Sequence, residues 1–167
     1  MDNTITCCDC IDGMQKISSN SIEMVCTEPP HFSNNESFYN FYLKVSTEVF
    51  RILKPGCMFI SFGAVETAVS DAGFITRDRG PICFGMKPPG QIDYVHQLFL
   101  SNNPQTIQLT CNLIRLFTNE NATVVDPFMG CGITALACIQ MNRKYIGFDI
   151  DSTHLHAAFK QITSFNK

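Results

Sequence analysis

Thr123 to Asp151 reads TVVDPFMGCGITALACIQMNRKYIGFDID, and this stretch decides the fold. Thr123-Val124-Val125 is a β-branched run and predicts a buried strand. It leads into Asp126-Pro127-Phe128-Met129-Gly130-Cys131-Gly132, where two glycines permit a tight turn and close backbone approach to a ligand. Ile133 to Asn142 then carries Ala135, Leu136, Cys138 and Ile139 at helical spacing. Tyr145-Ile146-Gly147-Phe148 predicts a second strand, which ends on Asp149. Strand, glycine turn, helix, strand and terminal acid make a nucleotide-binding βαβ unit. An acid about 20 residues beyond the glycines is where a ribose is gripped. The pattern is GxG without a third glycine, which argues against a dinucleotide. The bland alternative is a structural βαβ turn over an empty crevice.

Upstream, Asn3 to Cys10 predicts a short strand containing Asp9, and Ile11 to Ile17 a helix broken by Ser18-Ser19-Asn20. Ser21 to Cys26 predicts a buried strand that runs into Thr27-Glu28-Pro29-Pro30-His31-Phe32. The two prolines end the strand and remove two donors, leaving carbonyls as acceptors in a crevice. Ser37 to Lys54 is amphipathic, with Phe38, Phe41, Tyr42, Val45, Val49, Ile52 and Leu53 on one face, and Pro55-Gly56 stops it. Cys57 to Phe62 predicts a strand and Ala64 to Ala72 a short helix. Phe74 to Arg79 and Ile82 to Met86 predict a strand pair, and Lys87-Pro88-Pro89-Gly90 a loop. Ile92 to Leu100 reads as a strand, and Asn103 to Thr118 as a helix leading back to the opening stretch. Cys7-Cys8-Asp9-Cys10 lacks zinc-knuckle spacing and reads as small residues at a strand end, so no metal is expected. Cys111 and Cys138 read as core. His96, His154 and His156 lack partners at metal-ligand spacing and read as surface or loop histidines.

The opening stretch resembles the cofactor motif of the amino-methyltransferases that use S-adenosyl-L-methionine to modify adenine N6 or cytosine N4 in DNA. Those enzymes carry variants of DPFxGSGTT, an alanine-rich helix and an R-x-x-x-G-x-[DE] strand. Asp126, Pro127, Phe128, Gly130, Gly132, Thr134, Arg143, Gly147 and Asp149 match, while Cys131 replaces serine and Ile133 the first threonine. The N-terminal half resembles the same family, through Cys8-Asp9-Cys10, Met14, Ile17, Ser21-Ile22-Glu23-Met24-Val25 and Thr27-Glu28-Pro29-Pro30-His31. The resemblance implies a Rossmann-like α/β sandwich with a mostly parallel sheet and a circularly permuted motif order, as in the family's β group. It implies cofactor binding by Asp9, Asp126, Phe128, Gly130, Cys131, Gly132, Thr134 and Asp149. Asp9 lies near the adenine in that reading; as a plain strand-end aspartate it would cap the following helix. The resemblance also implies catalysis by Glu28, Pro29, Pro30 and His31 on a target base flipped out of DNA. Here EPPH replaces the family's DPPY. Glutamate adds one methylene to the acid that accepts the amine, and histidine replaces the stacking aromatic. A similar swap, EPPL, occurs in the non-catalytic subunit of the heterodimeric messenger-RNA adenine methyltransferase.

The 167 residues predict one domain: a catalytic-motif half at 1–90, a short loop at 90–103 where the family has its recognition segment, and a cofactor half at 104–167. Hydrophobic residues make up 45% and charged residues 16%, which excludes a disordered tail. The net charge is -3, from 12 basic and 15 acidic residues, so DNA affinity must come from a local patch or from a partner. Nine cysteines and a polar opening, Met1-Asp2-Asn3-Thr4, predict a reduced cytoplasmic protein outside the membrane. Two readings stand side by side: an enzyme methylating DNA, and a catalytically weak or inactive relative that binds cofactor or a partner subunit. A homodimer packed through the 37–54 helix is the other assembly the sequence raises. RNA or small-molecule methyl transfer is a third class.

Overall fold

Thr123–Asp126 is buried at every position, and Ile22–Thr27 at all but one. Strands apolar on both faces belong inside a parallel sheet covered by helices above and below. That is the arrangement in the computed structural model, which describes residues 3–30, 35–63, 66–79, 82–89 and 107–165. In chain order the elements are β1 (Thr4–Cys7), α1 (Cys10–Met14), β2 (Ile22–Thr27), α2 (Asn35–Ile52), β3 (Leu53–Phe62), α3 (Glu66–Asp71), β4 (Ile75–Arg79), β5 (Ile82–Met86), α4 (Ile107–Phe117), β6 (Thr123–Asp126), α5 (Ile133–Gln140), β7 (Lys144–Asp149) and α6 (Ser152–Phe165). The strands lie in the order β1-β7-β6-β2-β3-β5-β4. The first five run parallel, and β5 is antiparallel to both its neighbours.

Strand alternation sorts the core into two layers. Val25, Phe59, Val125 and Ile146 pack with residues of α1, α2 and α3. Met24, Ile60, Val124 and Tyr145 pack with residues of α4, α5 and α6. From β6 the chain moves outward to β7, and from β2 it moves the other way to β3. β6 and β2 are neighbours, so the topological switch lies between them, and a crevice opens beyond their carboxyl ends.

The predicted α/β sandwich with a mostly parallel sheet and permuted order is the one found. Boundaries differ for physical reasons. The first helix begins at Cys10 because Asp9 caps it. The helix predicted to reach Lys54 stops at Ile52, and β3 starts at once, bending through Pro55 and Gly56, whose φ is +78°. The strand predicted at 92–100 lies outside the described residues. Helix α6 had no counterpart in the sequence reading, although Leu155, Ala158 and Ile162 are buried at helical spacing. No described helix is long and apolar enough to cross a membrane, and none of the nine cysteines is in a disulfide.

The end of the sheet away from the crevice is fastened by Lys87. Its buried ammonium donates to Phe50 O at 2.6 Å, Leu53 O at 2.8 Å and Asn20 Oδ1 at 2.7 Å. It also lies 4.6 Å from the centroid of the Phe50 ring. These carbonyls close α2, where a cation is favoured by the helix dipole. Burial pushes the Lys87 amine below its ordinary pKa.

Candidate active site

The two loops of interest leave adjacent strands. Met24 and Val25 pair with Val124 and Val125. Just beyond, Thr27 Oγ1 donates to Asp126 Oδ1 at 2.5 Å, and Phe128 N donates to the same oxygen at 3.0 Å. Thr134 also bonds this carboxylate, and its hydroxyl lies 3.5 Å from Cys26 O. Burial pushes the Asp126 carboxyl up to about 6, against the opposing pull of its donors. One buried carboxylate therefore ties the acid-proline turn to the glycine turn.

Gly130 and Gly132 have φ of +51° and +91°, in the left-handed region that favours glycine. A Cβ on Gly132 would lie 3.0 Å from Ala158 Cβ, so this glycine lets α6 approach the turn. At Gly130 a Cβ would meet nothing nearer than Phe128 O at 3.9 Å, which leaves that face open to the crevice. Gly130 N donates to Asp149 Oδ2 at 2.8 Å, and Asp151 N to Asp149 Oδ1 at 2.9 Å. His154 Nδ1 stands 3.4 Å from the same Oδ1. Asp149 is thus both a latch on the glycine turn and a carboxylate at the crevice wall.

The R-x-x-x-G-x-D strand has a local explanation. Arg143 donates to Thr118 Oγ1 at 3.0 Å, to Thr118 O at 2.6 Å and to Met141 O, which ties the start of β7 to the end of α4. A Cβ on Gly147 would fall 2.0 Å from Met129 Cε and 3.0 Å from its Cγ, so glycine lets the turn seat its methionine without a shift.

A crevice of about 530 Å³ lies at this end of the sheet, within the range of small-molecule sites. Of the predicted site residues, Asp9, Glu28, Pro30, Phe128, Gly130 and Asp149 line it. Asp9 also caps α1, accepting from Ile11 N at 2.8 Å and Asp12 N at 3.3 Å, as the helix-cap reading expects. Asp126, Thr134 and Pro29 are buried and stand behind the lining, as does Gly132. Cys131 is exposed on the turn but not part of the wall. His31 lies outside the described residues. Cys8, Cys10, Phe41, Pro127, Ile150, Asp151 and His154 complete the wall, and none was assigned a site role from sequence. Ile150 is 78% exposed, an apolar side chain on the rim beside Asp149. His154 is exposed, as the surface reading expects, and it faces Asp149 and, at 4.0 Å, Asp151 from the first turn of α6. The helical spacing of Leu155, Ala158 and Ile162 was the available signal.

A family model described as DNA methylase matches residues 95–160. The candidate methylase YubD of Escherichia coli (strain K12) is 36% identical over 205 residues, covering 95% of this chain and 89% of that protein. The chain belongs to the N6/N4 DNA methylase family. Type II methyltransferase M.HpaI of Haemophilus parainfluenzae is 23% identical over 236 residues, covering 98% of this chain and 75% of its own length. Both alignments run longer than the chain's 167 residues, so these methylases carry stretches absent here. The fold also matches a candidate DNA modification methylase from Thermus thermophilus complexed with S-adenosyl-L-methionine. The TM-score is 0.82 and identity 18%, over 98% of this chain and 94% of that one. PvuII DNA methyltransferase, cytosine-N4-specific, superposes with a TM-score of 0.74 at 16% identity, over 99% of this chain and 91% of its own.

Proposed function

We propose that this single methylase domain binds S-adenosyl-L-methionine and transfers its methyl group to the exocyclic amine of adenine (N6) or cytosine (N4) in DNA. The observation that carries the reading is the Thr27–Asp126 bond, which holds the Glu28 turn beside the glycine turn on one crevice. The residues present suit the cofactor. Gly130 leaves an open face where a side chain would stand, Asp149 offers a carboxylate to ribose hydroxyls, and Phe128 and Ile150 offer apolar surface to an adenine. When bound, the cofactor supplies a methyl group on a positively charged sulfur.

The chain's own part is positioning. Glu28, exposed on the crevice wall, accepts a hydrogen bond from the amine of the flipped base, and the Pro29 carbonyl is its second acceptor. Two acceptors hold the nitrogen so that its lone pair faces the crevice. No covalent enzyme intermediate is needed, so placement supplies most of the rate, and an error of ~1 Å costs ~100-fold. His31 is the stacking residue by motif position. A second reading is favoured by the extra methylene of Glu28 together with the missing stretches: a domain that holds cofactor but relies on a partner subunit to bring DNA.

The deciding experiment measures tritium transfer from labelled cofactor to mixed genomic DNA, beside calorimetry with cofactor alone. Transfer that is abolished by Glu28→Gln supports the enzyme. Cofactor binding with no transfer, unchanged when Glu28→Asp and His31→Tyr are combined, supports the partner-dependent reading. No cofactor binding rejects both.

A further inference from the structure

Asp149 has fewer free lone pairs than a bidentate grip on a ribose requires. A carboxylate offers about four acceptor sites, two on each oxygen. On Oδ2, Gly130 N takes one at 2.8 Å. On Oδ1, Asp151 N takes one at 2.9 Å, and His154 Nδ1 stands at the other at 3.4 Å. The two backbone donors are fixed by the chain path, whereas His154 is a side chain, 58% exposed, on the opening turn of α6. It is the group that can leave.

The surroundings decide which protonation state of His154 holds it in place. Its other nitrogen, Nε2, lies 4.0 Å from Asp151 Oδ2. An imidazolium presents a donor to each carboxylate, while the neutral ring presents one donor and, toward the other acid, a lone pair. The charged form therefore suits this corner and the neutral form is released more readily. The remaining titratable groups of the crevice carry no positive charge. Cys8 and Asp9 face it from the β1–α1 turn, Cys10 from the start of α1, and Glu28 from the end of β2. α5 carries no charged side chain, and His156 is the other titratable group on the first two turns of α6.

We propose that His154 is an additional residue of the cofactor site, which in its protonated form occupies Asp149 and competes with the ribose diol, so that cofactor affinity rises with pH. This rests on the cofactor reading above. The diol and the imidazolium compete for the same carboxylate oxygen, so affinity rises as the charged ring gives way to the neutral one. A half-exposed pair of this kind is worth a few-fold in affinity, about three- to fivefold between about pH 5.5 and about pH 8.

The test uses the intact chain and methylthioadenosine, which shares the cofactor's adenine and ribose but carries no group that titrates in this interval. Calorimetry at the two pH values should give the three- to fivefold change for wild type. His154→Gln, and separately His154→Ala, should bind as wild type does at high pH with no pH dependence. A dideoxy analogue lacking both ribose hydroxyls should bind wild type equally at both pH values. Identical pH dependence in wild type and both variants, or in the dideoxy analogue, would overturn the role of His154 while leaving the cofactor site standing. Absence of binding by wild type at either pH would remove the cofactor reading and this inference with it.

Discussion

Thr27→Val removes one hydroxyl from a buried site and leaves the side-chain shape. Asp126 is buried, and its carboxyl is raised from 3.8 to about 6, chiefly by desolvation, with Thr27 among the donors that hold it down. Each pKa unit corresponds to about 1.4 kcal/mol, so keeping Asp126 ionised in the fold costs about 3 kcal/mol. Because the folded value is the higher one, this cost is absent below 3.8, grows as the unfolded chain ionises first, and is complete above about 6. Valine withdraws a donor from the charged form, a loss of about 1.5–3 kcal/mol at about pH 7.5. At about pH 4.5 Asp126 is protonated in the fold, and the same hydroxyl gives only a neutral bond, worth about 0.5–1.5 kcal/mol. Urea unfolding followed by circular dichroism at both pH values measures the difference directly. The loss should be about twice as large at the higher pH. An equal loss at both, or a larger one in acid, would refute the assignment of Thr27 as the donor that stabilises the Asp126 charge.

Three further outcomes are expected. Asp149→Asn keeps the side chain's shape but replaces an acceptor oxygen with a donor amide; S-adenosyl-L-methionine affinity measured by calorimetry should fall about 10- to 100-fold, and undiminished affinity would place the ribose elsewhere. Gly147→Ala collides with Met129 and should destabilise by about 1–3 kcal/mol; combining it with Met129→Ala should recover part of that loss in thermal unfolding, and strict additivity of the two changes would contradict the contact. Glu28→Asp with His31→Tyr restores the family's DPPY and should raise methyl transfer to DNA if excess reach limits the wild type; transfer lowered by the pair would mean that the geometry is already tuned to glutamate.

The sheet was legible because its interior strands are short apolar runs, each closed by a turn signal. TVVD ends in the glycine turn, and SIEMVC ends in two prolines. The glycine turn and Asp149 were legible as a local pattern, since spacing along one βαβ unit carries them. What could not be read joins residues far apart in the chain. Thr27 and Asp126 are 99 residues apart, and nothing local to either marks their bond. That bond also moves Asp126 from the wall of the crevice to a support behind it. His154 was missed because its partners depend on where α6 begins, and a cap by Asp151 on Thr153 N starts that helix without any glycine or proline to announce it. Lys87 was read as a loop residue, since a lysine beside two prolines looks solvated until the carbonyls of a helix end are found around it.

Lys87 has a consequence for where the chain is held. Its backbone is pinned in both directions, with its N–H on Cys57 O at 3.1 Å and its carbonyl taking Gly56 N at 2.7 Å, while its amine seals α2. The chain is moored to the sheet at that residue. Chain added beyond a moored stem costs mainly loop-closure entropy, which grows only slowly with length. The rivet that seals the end of α2 thus also fixes the course of the chain beside β3, at the end of the sheet away from the crevice.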